Sequence, residues 1–554
     1  MDPVTNAVPV TKAKTLVGRI LARVLGLPPH TSAFEVIQRV RVPMRDGIEL
    51  VADHYRPTTS NPAGTLLVRT PYGRGYPASV LFGSVYAARG YHVIVQSVRG
   101  TFGSGGEFNP FVNEISDGAD TVAWLRCQPW FTGTFGTMGA SYLGFTQWAL
   151  LTDPPPELAA AVITVGPHDL SGPRWGTGSF GLDDFVGWSH NISHQEDPGR
   201  IRQLVRAVRT RRLVARATGG IPVGHAGRTL LGTGAPWFES WLEHTEHDDP
   251  FWASTQLHAA LERSEVPVLL LTGWQDLFIE QTLEQYTQLR NRDVPVAVTV
   301  GSWTHSDLLR RGAPTVLRES LAWFNTHLAG GRSRRRRSSV RIHVNHDGWL
   351  DLDDWPPPMP EQVRYLQPGG RLGNAVPRDT APPATFTYDP ADPTPTIGGA
   401  LLAPEGGYRR DDKLAERPDV LTFTGDALPQ DIYIVGNAIV ELSHTCDNPH
   451  NDLFVRVSEV DTKGRSRNVT DGYRRGTGDS ETVTMRLDAV AHRFRAGSRI
   501  RVLVAGGSHP RFARNLGTGE PIGTGTRLRP ARHTVRLGDG VSRLRLPAAT
   551  RLPH

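Results

Sequence analysis

Apolar and polar residues alternate from Phe34 to Pro57 on either side of Asp46-Gly47, a dipeptide suited to a tight turn, and this pattern predicts a β-hairpin. Beyond it the alternation gives way to short continuous apolar runs at residues 65–69, 91–96, 133–139, 158–166, 266–273 and 294–301. A Gly-containing loop and a helical stretch follow each run. Strands buried on both faces show this signature, so the recurrence predicts a parallel sheet covered by helices. Between residues 167 and 261 the rhythm stops and helical segments rich in Trp, His and Arg take over, as expected of an insertion capping the sheet. Further on, short strand patterns at 419–424, 432–435, 439–443, 453–460 and 500–504, broken by turn signals, predict an all-β sandwich.

The expected plan is an N-terminal extension (1–33), an α/β domain in two segments (34–166 and 262–330), a helical cap (167–261) and a C-terminal β domain (338–554). A length of 554 residues agrees with several cores rather than one. The abundance of turn formers, with Gly 58 and Pro 43, agrees with the β-rich end. No internal repeat of solenoid type occurs.

Charge and cysteine content narrow the classes. A net charge of +6 is small against 61 basic and 55 acidic side chains, so nucleic acid is not expected as a partner. Arg332 and the run Arg334 to Arg337 read as a solvated basic linker, because no recognition motif flanks them. Cys127 and Cys446 are far apart and are expected to be buried thiols in a reducing, cytoplasmic setting. No apolar stretch reaches the roughly 18 residues needed to span a bilayer. Residues 16–27 read as an amphipathic helix with Arg19 and Arg23 on one face, docking on the protein's own surface or on a partner by default, with membrane-surface contact as the secondary reading. Homo-oligomerisation is left open.

The candidate chemistry begins in FGTMGASYLGFTQWALL, which runs strand, tight turn, helix, with Ser141 at the apex. The Gly-x-Ser-x-Gly elbow is half matched, since position 143 is leucine and the second glycine is Gly144. That segment alone suits a helix-capping serine as well as a nucleophile. A serine nucleophile also needs an imidazole base and a carboxylate to orient it, and in this fold class they follow in the order Asp, then His. The strand VPVLLLTG ends in Trp274-Gln275-Asp276, and VPVAVTVG ends in Ser302-Trp303-Thr304-His305. Asp276 and His305 fall where the order demands, which selects nucleophile over cap. The oxyanion needs donors: the backbone N–H of Tyr142, at the start of its helix, is one. Tyr72, in the Pro-Tyr-Gly turn of LLVRTPYGRG, suits either a rigid packing residue or the other donor.

The set TPYGRG, VRGTFGSGGEF, GASYLGFTQW, GWQDLF and GSWTH resembles the α/β-hydrolases of the cocaine esterase and X-prolyl dipeptidyl peptidase superfamily. The segments SRNVTDGYRR and SHPRFARN resemble that family's C-terminal jelly-roll domain, a galactose-binding-like sandwich. The resemblance implies an α/β-hydrolase domain with an inserted helical cap, and a tyrosine hydroxyl, here Tyr72, completing the oxyanion hole. It also implies an aromatic acyl pocket, with Phe278 matching best and Trp175 and Trp188 matching more loosely, since core packing of the cap explains those two equally well. One departure stands out: relatives carry Asp before x-Arg-Gly, where this chain has Ser97-Val98-Arg99-Gly100, so an ion pair that stiffens the loop is expected to be weakened.

Three other signals are set aside. The His- and acid-rich stretch from Glu243 to Asp249 fits no standard metal spacing. Asn468-Val469-Thr470 fits a glycosylation acceptor but lacks a secretory context. Gly103-Ser104-Gly105-Gly106 lacks a Walker lysine. The leading reading is a serine hydrolase acting on a small ester or amide, with no metal or organic cofactor required. An X-Pro dipeptidyl-peptidase acting on short peptides is the chief alternative, for which Asp183 or Asp184 would hold the free amino terminus. A catalytically idle carbohydrate-binding protein is the second.

Overall fold

The computed structural model describes residues 7–9, 20, 22–331, 336, 338–477 and 482–552. Its first layer is an 11-stranded sheet built from β1 (Ala7–Pro9), β2 (Phe34–Pro43), β3 (Glu49–Pro57), β4 (Gly64–Thr70), β5 (Tyr91–Ser97), β6 (Phe135–Ala140), β7 (Leu158–Thr164), β8 (Val268–Gln275), β9 (Val296–Thr304), β10 (Val340–Val344) and β11 (Gly348–Leu352). Their spatial order is β1-β2-β3-β5-β4-β6-β7-β8-β9-β10-β11. Neighbours from β5 to β10 run parallel, and the hairpin strands pair antiparallel at the edge. Every residue of β4, β5 and β8 is buried, which is why these strands read as unbroken apolar runs.

Arg69 is the exception inside β4. A guanidinium in a buried strand requires a partner, and Glu114 supplies it at 3.0 Å with both side chains 3% exposed. Gln96 accepts a further hydrogen bond from Arg69 Nε.

Helices fill the interval between β7 and β8, including Leu182–His194 and Arg200–Thr218, as expected of a cap. Their own core gathers Phe180, Leu182, Phe238, Trp241 and Trp252. The His- and acid-rich stretch closes this cap: His244 bonds Asp249 at 2.7 Å, and His247 bonds Asp169 at 2.9 Å.

The second layer is a β-sandwich containing all five expected strand regions, as Val420–Gly425, Ile432–Gly436, Ile439–Cys446, His450–Val460 and Arg499–Ala505. Phe423, Ile434, Val455, Val502 and Leu544 lie in its core. It docks on the carboxyl end of the sheet. The Gln275 side chain donates to Val469 O at 3.2 Å and accepts from Asn468 at 3.3 Å. Asn468 is thus a buried docking residue.

Four expectations need correction. Residues 340–352 belong to the first sheet rather than the sandwich: β10 pairs parallel with β9 after the helix Ala313–His327, and β11 returns antiparallel. Within the basic stretch, Arg336 is no solvated linker residue. It is pinned by Glu319 at 3.0 Å and by Val298 O and Thr299, so it anchors the crossover into β10. Arg332, Arg334, Arg335 and Arg337 lie outside the described residues. Cys127 is exposed and Cys446 half-buried, so neither is a buried thiol. Of the N-terminal helix, residues 20 and 22–24 are described as helical; Ala22 is buried, whereas Ile20 and Val24 are exposed, so the buried side is not the one those two residues mark. Among the described residues no helix is long and apolar enough to cross a membrane.

Candidate active site

Ser141 sits between β6 and the helix Tyr142–Leu151 with φ 61 and ψ −119. A non-glycine residue at positive φ costs on the order of 1–3 kcal/mol, and here the surrounding structure enforces it. Ser141 N donates to Thr164 O at 2.9 Å, and Ser141 O accepts from Gly144 N at 2.7 Å. The half-matched glycine pattern has a steric reason. A Cβ on Gly144 would lie 2.5 Å from Gly166 Cα, so the helix meets the end of β7 backbone to backbone at that position. A Cβ on Gly139 would lie 2.2 Å from Leu143 Cβ, so Leu143 occupies the space that Gly139 leaves open.

Asp276, fully buried after β8, accepts from Phe278 N through Oδ1 at 2.6 Å and meets His305 Nδ1 through Oδ2 at 2.7 Å. An ionised carboxylate only accepts, so Nδ1 carries the proton and Nε2 is left as the acceptor. His305 and Ser141 line one cavity of about 1020 Å³.

Tyr72 lines the same cavity as Ser141. Its ring is 41% exposed because it opens onto that space. Burial of the hydroxyl raises its pKa, with the bond to Trp188 opposing. Trp188 Nε1 donates to the Tyr72 hydroxyl at 3.0 Å. An indole N–H can only donate, so the phenol oxygen accepts from it and the phenol proton is free to point at Ser141. Gln195 adds a bond to Pro71 O at 2.8 Å, so one cap helix and its end hold the tyrosine turn. Tyr142 N opens its helix, where backbone N–H groups have no intrahelical acceptor. The Tyr142 hydroxyl donates to Glu114 at 2.7 Å and accepts from Phe111 N at 2.9 Å. The Arg69–Glu114 pair therefore continues to the residue after Ser141. Sequence reasoning missed this network, although a lone arginine in an apolar strand was a signal for it.

The three aromatic candidates separate. Trp188 lines the cavity. Phe278 is 5% exposed and packs edge-on against His305, with ring centroids 5.5 Å apart, so it braces the imidazole. Trp175 is buried in the cap core with Nε1 bonded to Trp241 O at 2.8 Å, out of reach of the cavity. Residues that the sequence did not flag complete the walls: Leu81 and Phe82, Val214 of the cap, and Leu401 and Leu402 of the sandwich. Asp183 and Asp184 also face this space. Burial, then Glu405, raises Asp183 to about 6; burial, then Asp183, raises Asp184 to about 7.

The loop departure at Ser97 does not loosen the site. Ser97 Oγ accepts from Arg74, which pairs with Asp53 at 3.2 Å, while Arg99 pairs with Asp117 at 2.6 Å and Asp46 at 2.7 Å. Carboxylates from other segments replace the one absent at position 97.

Comparison with known proteins agrees with this geometry. Residues 46–307 match the model of the X-Pro dipeptidyl-peptidase (S15 family), and residues 334–543 match that of the X-Pro dipeptidyl-peptidase C-terminal non-catalytic domain. The chain is 29% identical over 545 residues to a cocaine esterase from Rhodococcus sp. (strain MB1 Bresler), covering 88% of this chain and 94% of that protein. Two solved structures share the fold at a TM-score of 0.79. One is an aminopeptidase from a marine sediment archaeon, Thaumarchaeota archaeon, at 21% identity covering 94% of this chain and 96% of that one. The other is an α-amino acid ester hydrolase at 22% identity, covering 93% and 97%.

Proposed function

The chain belongs to the cocaine esterase and X-prolyl dipeptidyl peptidase superfamily of serine hydrolases, and from that premise we propose that it cleaves a small ester or amide through an acyl-enzyme. Ser141 Oγ attacks the substrate carbonyl carbon while His305 Nε2 takes its proton. His305 then returns the proton to the leaving alcohol or amine as the acyl bond breaks, and the same imidazole activates the water that frees Ser141. Asp276 holds the imidazole tautomer, and the Tyr72 hydroxyl and Tyr142 N–H stabilise the oxyanion. The observation that carries this reading is the 2.7 Å Asp276–His305 bond opening onto the same cavity as a serine at positive φ. Membership in a hydrolase family sets aside the idle carbohydrate binder. A fluorophosphonate reagent is expected to label the wild-type chain stoichiometrically and to leave Ser141→Ala unlabelled. Equal labelling of the variant overturns the assignment.

Within this chemistry a neutral ester is the first choice, supported by the apolar walls at Leu81, Phe82, Val214 and Leu401. The peptidase alternative draws support from Asp183 and Asp184, since a free amino terminus needs a carboxylate. With pKa values raised to about 6 and about 7, these groups gain charge as pH rises through that window. If they hold a cation, kcat/KM for a quaternary ammonium ester, divided by that for a neutral ester of equal size, rises between pH 5 and 8, because only ionised carboxyls attract the fixed charge. The ratio cancels any titration common to both substrates. A flat ratio rules out a cation-holding role for the two aspartates.

A further inference from the structure

We propose that His346, Glu459 and His492 bind one divalent transition-metal ion of the zinc class, which clamps the β-sandwich to the edge of the catalytic sheet. His346 lies in the turn between β10 and β11, while Glu459 and His492 stand on the sandwich strands His450–Val460 and Val490–Phe494. The donor atoms lie within 4.8 Å of one another. Glu459 Oε2 is 3.0 Å from His492 Nε2 and 3.4 Å from His346 Nε2. A tetrahedral zinc ion with bonds of roughly 2.0–2.1 Å requires ligand separations of about 3.3 Å, so two of the three edges are already close to that value. The third closes by movement of His346, an exposed turn residue.

A further feature points to a ligand. His492 is 4% exposed, so its imidazole is held by the surrounding strands with Nε2 turned toward Glu459. Beside the cluster is a second cavity of about 150 Å³, separate from the one containing Ser141, with room for a water as fourth ligand. Two imidazoles and one carboxylate select zinc, cobalt or nickel over magnesium and calcium, which prefer all-oxygen shells. Arg467 lines the cavity and Arg495 approaches His346 Nδ1 at 3.4 Å. These cations oppose a bare dication and favour hydroxide or another small anion in the fourth position.

The proposal is independent of the hydrolase reading, because none of the three residues lines the Ser141 cavity. The test uses the full chain stripped with a chelator, then titrated with Co²⁺ and Zn²⁺. The expected result is one Co²⁺ per chain with a visible d–d band, displaced by Zn²⁺, together with a rise in Tm on Zn²⁺ addition. His346→Ala, an exposed substitution that leaves the fold intact, is expected to abolish the band and the Tm rise while fluorophosphonate labelling of Ser141 persists. Glu459→Gln is expected to weaken the band. Absence of saturable one-to-one binding, or binding unchanged in His346→Ala, overturns the site. Binding without a Tm rise overturns the clamp.

Discussion

His305→Ala is expected to lower kcat for an activated ester by about 10⁴- to 10⁶-fold, and adding Ser141→Ala to it is expected to cost almost nothing more. The two side chains act as one unit. Once no base accepts the serine proton, the hydroxyl contributes little, so the two losses do not add. Asp276→Asn makes a finer test. Asp276 Oδ1 already accepts the Phe278 N–H, so the introduced amide keeps its oxygen there and turns its NH2 toward His305. A donor facing Nδ1 forces that nitrogen to accept and moves the ring proton to Nε2, where it blocks general-base action. The expected loss is about 10⁴-fold in kcat, with the fold and the positions of Ser141 and His305 kept. Steady-state kinetics on a p-nitrophenyl ester measure all three variants. Activity within tenfold of wild type for Asp276→Asn would falsify the tautomer argument.

Chain order and strand periodicity were enough to bring Ser141, Asp276 and His305 forward, because each stands at the end of a buried apolar run and the runs are local signals. The displaced glycine of the elbow was visible but unexplained, since its reason is a neighbour, Gly166, from the next strand. The rest depended on contacts between distant segments. Nothing in VNHDGW marks β10 and β11 as a continuation of the first sheet, because an alternating edge strand reads the same in a sandwich. Arg336 looked like one more charge in a basic run and is instead an anchor, a distinction made by Glu319 from the preceding helix. The motif match ranks Phe278 above Trp188 as a pocket residue, yet Trp188 lines the cavity and Phe278 does not, since burial against His305, burial in the cap core and exposure to a cavity all favour an aromatic side chain. The sandwich segment around Leu401 roofs the cavity from more than 250 residues beyond Ser141, a separation at which periodicity carries no information.

Tyr72→Phe is expected to cost about 2.7–4 kcal/mol of transition-state stabilisation, a fall of roughly 10²- to 10³-fold in kcat with KM little changed, because the hydroxyl is needed only once charge develops on the carbonyl oxygen. Trp188 extends the argument. Its indole occupies the Tyr72 oxygen as a donor and so directs the phenol proton toward Ser141. Trp188→Phe keeps an aromatic ring over Phe111 and Tyr142 but removes that donor, leaving the phenol free to rotate. A single hydrogen bond of this kind is worth about 1 kcal/mol, so a loss of several-fold in kcat is expected. The decisive measurement is the double variant. If Trp188 acts by orienting Tyr72, its substitution costs nothing further once the hydroxyl is gone. If it acts only as a wall for the substrate, the same loss recurs in the Tyr72→Phe background and appears in KM.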